Sequence, residues 1–282
     1  RRPESPITTP LLGSALALLP GETLTEAVPA QASSMITTGT EGLDAGDTTI
    51  TTDSDTIPGY WARPDDSKKR PIVLVAMEIF GLHAYIRDVC RRLAQAGYVA
   101  VAPDLLIRQG DVTAFTEIEP IRKIAYAVPD TQAQADLDAS VRWVVENGNG
   151  DASRLGITGF CWGGRAVWLY SAHNPDLKAG VAWYGRLAGE STLQMPRWPL
   201  EVAGASNAPV LGLYGEKDAG IPLDNVDRMN ALLKNAGSPS HIIVYPDAEH
   251  GFHADYRPSY QHKAATEGWA QMLSWFRENG VG

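Results

Sequence analysis

The stretch Pro71-Ile-Val-Leu-Val-Ala-Met77 constrains the fold more than any other part of the chain. It is apolar at successive positions and rich in β-branched residues, so as a strand neither of its faces can meet water. A sheet covered on both faces accommodates such a strand, which calls for helices packed above and below it. The remainder of the chain supplies the other parts. Tyr98–Ala102, Arg154–Thr158, Ala179–Tyr184, Pro209–Tyr214 and His241–Tyr245 read as further buried strands. Helical periodicity falls between and after them: over Tyr85–Gln95, stopped by Gly97; over Asp130–Glu146, with Leu137, Val141, Val144 and Val145 on one face; and over Gly163–Ala172, Asn225–Asn235 and Tyr260–Asn279. Asp47–Thr52 and Ile57–Arg63 alternate apolar and polar residues around Pro58-Gly59, and read as a paired opening at a sheet edge. Strands and helices alternating at this spacing predict an α/β fold: one domain over 46–282, with a mostly parallel sheet and helices on both faces.

Residues 1–45 stand apart. Arg1-Arg2, the apolar stretch Leu11–Leu19 and Ala30-Gln31-Ala32 are the parts of a twin-arginine export signal. Pro20 and Glu22 end the apolar stretch early, so a flexible Pro/Thr/Ser-rich leader is an equal reading. Cytoplasmic and exported locations both stay open, as do monomer and dimer. A net charge of −9 with no offsetting run of Lys or Arg argues against nucleic acid as a partner. No run of about 18 apolar residues predicts a membrane span. The two cysteines, Cys90 and Cys161, do not make a disulfide framework, and Cys90 reads as a core residue of its helix. No Cys/His cluster has ligand spacing, so neither a metal nor another cofactor is expected.

The chemistry concentrates at Gly159-Phe160-Cys161-Trp162-Gly163-Gly164, between a predicted strand and a predicted helix. A nucleophile elbow needs this context. Its turn strains the nucleophile's backbone and requires small residues on either side. The sulfur then sits at a helix N-terminus, whose dipole and free N–H groups favour a thiolate and an oxyanion. The competing reading is a glycine-rich turn around a structural cysteine. Chain order weighs against it, because α/β-hydrolases present nucleophile, acid and histidine in that sequence. Asp218 follows the strand Pro209–Tyr214, and His250 follows His241–Tyr245. His250 would take the thiol proton and Asp218 would fix the imidazole tautomer. Asp224 reads instead as a helix cap, and Asp247 lies too close in sequence to His250 to serve it. The backbone N–H groups of Trp162 and Ile79 are the expected oxyanion donors.

Met77-Glu-Ile-Phe-Gly-Leu, Val101-Ala-Pro-Asp-Leu, the cysteine elbow, Trp183-Tyr-Gly and the loop ending at His250 together resemble the dienelactone hydrolase family, the carboxymethylenebutenolidases, from about Thr48 onward. The resemblance implies a Cys161–His250–Asp218 triad and places Glu78 on a family glutamate that contacts the resting thiol. It also implies that the thiol rests protonated until substrate displaces that glutamate. Of two arginines that bind the substrate carboxylate in the family, one aligns with Arg122, near Tyr126, and the other falls on Ala254. Arg257 and Arg186 are candidates to replace it, and Phe80, Trp162, Tyr184 and Phe252 are expected to line an aromatic pocket. The activity this implies is hydrolysis of a small ester or lactone through an acyl-enzyme. A general carboxylesterase acting on larger esters and a catalytically silent hydrolase-fold binding protein are the alternatives.

Overall fold

The run beginning at Pro71 forms β3 (Arg70–Ala76), inside an eight-stranded sheet, in the computed structural model of the protein, which describes residues 35–282. From Ile72 to Ala76 its side chains have no solvent exposure. Each larger one contributes roughly 1.5–3 kcal/mol by leaving water. The opening pair, β1 (Leu43–Thr51) and β2 (Thr56–Pro64), is antiparallel and forms one edge of the sheet. β2 joins β4 (Val99–Pro103) antiparallel, and every pairing beyond it is parallel. The remaining strands are β5 (Gly150–Phe160), β6 (Ala179–Trp183), β7 (Val210–Gly215) and β8 (His241–Tyr245). The order β1-β2-β4-β3-β5-β6-β7-β8 is that of an α/β-hydrolase sheet.

The helices are α1 (Ala84–Gln95), α2 (Ile118–Tyr126), α3 (Asp130–Asn147), α4 (Trp162–His173), α5 (Pro199–Val202), α6 (Leu223–Asn235) and α7 (His262–Glu278). α1, α3, α4, α6 and α7 pack on the strands and cover them. Cys90 is a free, fully buried thiol on α1.

Several details differ from the sequence reading. α2 was not anticipated, because Pro120 interrupts an already short pattern; a proline in the first turn of a helix leaves no N–H bond unmade. Val145 is exposed, since it lies about 100° around α3 from the buried Val144. Asp224 is no cap: Pro222 holds that position, and Asp224 sits in the first turn of α6. β5 runs well beyond Arg154–Thr158 at both ends. β1 starts at Leu43, ahead of the boundary drawn at 46, and the backbone N–H of Thr38 already donates to Asp88. The Arg1-Arg2 signal reading falls on residues outside those described. Among the described residues no helix is long and apolar enough to cross a membrane.

Candidate active site

The carboxyl ends of the parallel strands gather the chemistry, as expected for an open α/β sheet. Cys161 joins β5 to α4 with φ 56° and ψ −114°, a conformation that costs a non-glycine residue of order 1–3 kcal/mol. The surroundings enforce it. A Cβ on Gly159 would strike the carbonyl of Gly163, and one on Gly163 would strike the carbonyl of Ala76. The elbow therefore closes only on glycines. The backbone N–H of Cys161 is spent on Trp183 O at 3.0 Å. Trp162, the first residue of α4, has no intrahelical partner for its N–H. Trp162 and Ile79 line a cleft of about 300 Å³ together with Cys161.

The loops after β7 and β8 carry the acid and the histidine, and they lock onto each other. Glu216 N donates to Tyr245 O at 3.0 Å and Lys217 N to Ala248 O at 2.8 Å. A Cβ on Gly215 would collide with that second carbonyl, so glycine permits the approach. The result is a contact of 2.7 Å between His250 Nδ1 and Asp218 Oδ2, both residues buried. Asp218 Oδ1 accepts the N–H of Gly220 at 2.9 Å, which fixes the carboxylate plane. His250 Nε2 is buried without a hydrogen-bond partner among the described residues. Burial alone would lower the pKa of His250, but the Asp218 carboxylate and then the Cys161 sulfur outweigh it and hold the value well above the usual imidazole range. Asp247, the rival acid, is exposed and pairs with Lys217 at 2.5 Å.

Glu78 follows β3 and is fully buried. Its carboxylate accepts from Tyr256 Oη at 2.5 Å, lies 3.4 Å from His83 Nε2 and pairs with Arg257 at 3.7 Å. Burial opposes its ionisation. The charge of Arg257, then His83 and the Tyr256 hydroxyl, overcome that and bring the pKa down to about 2. Among the described residues no hydrogen bond joins Glu78 to Cys161, in contrast to the contact that the resemblance implies. His83 and Tyr256 were not anticipated as partners of Glu78.

The anticipated substrate residues divide. Tyr126 and Arg186 line the Cys161 cleft. Arg122 is buried, lies 3.2 Å from Glu119 and lines a separate cleft along α2 that it shares with Tyr126. Arg257 turns inward to Glu78, with its guanidinium 5.1 Å over Phe80. Phe80 also meets Tyr256 edge-on. Tyr184, at φ 38°, is fully buried with its ring edge against His250 at 5.1 Å. Phe252 lies behind Tyr184 and away from the cleft lining, because it packs into the core against Trp183 and Tyr245. Two lining residues escaped the sequence reading, Arg165 and Trp198. Arg165 is held bidentate by Asp130 at 2.6 and 2.9 Å and stacks 4.6 Å over Trp198. A helix-borne arginine immediately after the elbow was the available signal for the first. Trp198 arrives from a loop and gave none.

Sheet order, strained elbow and buried Asp–His pair define the α/β-hydrolase class. Within it, residues 57–280 match the model of the dienelactone hydrolase family. The chain belongs to that family and is a hydrolase of the carboxylic-ester class. It is 51% identical over 254 residues to a Methylorubrum extorquens protein described as "Putative carboxymethylenebutenolidase", covering 90% of this chain and 87% of that protein. An Escherichia coli K12 protein of the same description is 50% identical over 251 residues, covering 88% and 92%. The crystal structure of a "Putative Dienelactone Hydrolase" from Klebsiella pneumoniae superposes with a TM-score of 0.82 at 52% identity, covering 84% of this chain and 99% of that one.

Proposed function

We propose that this protein hydrolyses a small ester or lactone through Cys161, with His250 and Asp218 completing the triad. The observation that carries the reading is the strained cysteine at the head of α4, facing a buried imidazole already paired at 2.7 Å to a buried carboxylate. In the first step the Cys161 sulfur attacks the substrate carbonyl while its proton resides on His250. The N–H groups of Trp162 and Ile79 receive the developing oxyanion. Collapse expels the alcohol, or the enol arm of a lactone, which takes the proton from His250. Water then gives a proton to His250 and attacks the thioester, and the carboxylic acid leaves as the thiol is restored.

The cleft supports a small substrate over the larger esters of a general carboxylesterase, since about 300 Å³ holds a compact acyl group only. Arginine selection of a substrate carboxylate, if retained, falls to Arg186 in the lining, because Arg257 is engaged with Glu78 and Arg122 serves another cleft. The test compares wild type and Cys161→Ala on p-nitrophenyl acetate and several unsaturated lactones. We expect wild-type turnover to fall by more than about 1,000-fold in the mutant. Equal rates would remove Cys161 as nucleophile, and tight binding without turnover of any ester would favour the silent binding protein instead.

A further inference from the structure

β3 and β5 pair with Ala76 opposite Gly159, so Glu78 and Cys161, each two residues further along, emerge side by side. A buried carboxylate next to a thiol has two options. It can accept the S–H as a hydrogen bond and keep the sulfur neutral, or it can be held elsewhere and leave the sulfur to the imidazole. The side chains around Glu78 impose the second. Tyr256 and Arg257 reach it from the loop after β8, and His83 from the N-terminus of α1. Tyr85 on α1, Tyr184 after β6 and His253 complete the titratable groups that feel its charge. Tyr85 is itself committed to His253 Nδ1 at 2.6 Å, and Tyr184 Oη has no hydrogen-bond partner among the described residues. Tyr256 Oη is thus the one group that hydrogen-bonds the Glu78 carboxylate among the described residues, and Glu78 Oε1 has no such bond.

We propose that Tyr256, seconded by His83, is a positioning residue that holds Glu78 off Cys161, so that the thiol is reactive before any substrate arrives. This rests on the reading of Cys161 as the nucleophile. Without the Tyr256 hydroxyl, the Glu78 carboxylate loses its donor inside a dry site. The neighbouring thiol is then the protic group nearest in the fold, and accepting its proton as a hydrogen bond stabilises the neutral sulfur.

The experiment measures the rate of iodoacetamide alkylation against pH for wild type, Tyr256→Phe, Glu78→Gln and the double variant, with Cys161→Ala as the blank. The expected result is an upward shift of the alkylation midpoint in Tyr256→Phe by about one pH unit or more, absent when Glu78 is already glutamine. His83→Asn, at the half-buried end of the cluster, should give a smaller shift that also vanishes in the glutamine background, and it carries the test should Tyr256→Phe fail to fold. An unmoved midpoint, or an equal shift in both backgrounds, overturns the proposal. Alkylation reads the thiol directly. If Cys161→Ala retained esterase activity, the proposed function would fall while the midpoint shift still judged the positioning role.

Discussion

Replacing Asp218 by asparagine tests the site at its most determined point. Asp218 uses both oxygens: Oδ1 accepts the Gly220 N–H at 2.9 Å and Oδ2 meets His250 Nδ1 at 2.7 Å. An asparagine in the same pose must keep its carbonyl toward Gly220, which presents its NH₂ to His250 Nδ1. The ring then becomes an acceptor at Nδ1 and carries its proton on Nε2, where it cannot take one from Cys161. The charge is lost as well. Two unit charges about 4 Å apart at an effective dielectric near 20 interact by about 4 kcal/mol. At ~1.36 kcal/mol per tenfold, that is about 10³ in rate before the tautomer is counted. The pKa of His250 should drop too, because the carboxylate that outweighs its burial is gone. The assay is kcat/KM for p-nitrophenyl acetate across pH, with near-UV circular dichroism to verify the fold. A loss below tenfold in a folded variant would refute the reasoning, because it would mean that neither the charge nor the tautomer controls the imidazole.

Three further outcomes follow from the same geometry. Gly163→Ala drives a methyl into the Ala76 carbonyl and should lower Tm by about 6 °C or more, for a cost near 3 kcal/mol; an unchanged melting curve would show that the elbow can yield. Asp130→Ala strands the buried Arg165 guanidinium and should cost about 3–5 kcal/mol in urea unfolding; adding Arg165→Met should recover most of it, and no recovery would deny the pairing its role. Glu78 has a depressed pKa of about 2 against an ordinary 4.5, so the stability it contributes is full above pH 4.5 and drains away as pH falls toward 2. That amounts to about 3 kcal/mol; urea midpoints of Glu78→Gln should therefore fall less steeply through this window than wild type, and parallel profiles would contradict it.

How much of this was legible in the sequence depends on how local each determinant is. Cys161 could be found because glycines bracket it and a strand and a helix flank it, all within a dozen residues. Asp218 and His250 could be placed because each ends a strand, and strand order alone carries them to the same side of the sheet. The helix at Ile118–Tyr126 was legible in principle: Ile118, Ile121 and Ala125 are buried at helical spacing, with Pro120 in the first turn. The surroundings of Glu78 were not legible. His83 and Tyr256 are 173 residues apart, and nothing in either neighbourhood announces that both converge on one carboxylate. Arg257 misled for the same reason. A basic residue near the catalytic histidine suggests substrate binding, whereas the turn at Gly251, φ 78°, and the close approach of Arg257 to that glycine aim it at Glu78.

That inward turn changes what the cleft can select. An arginine facing substrate contributes a bidentate clamp for a carboxylate; one buried against Glu78 neutralises an internal charge and contributes nothing to recognition. Arg165 is spent in the same way on Asp130, which leaves its stacked face, and not its fork, toward the cleft. Around Cys161 the lining is then Tyr126, Trp162, Trp198 and the half-buried Arg186, whose guanidinium lies 5.7 Å over the Trp198 ring. Flat aromatic walls with a cation at one side favour a planar, conjugated acyl group that stacks, with any carboxylate directed to Arg186. Trp198→Ala should therefore raise KM for aromatic and unsaturated esters far more than for acetate while kcat on acetate changes little, and a uniform loss on every ester would show that Trp198 only supports the loop.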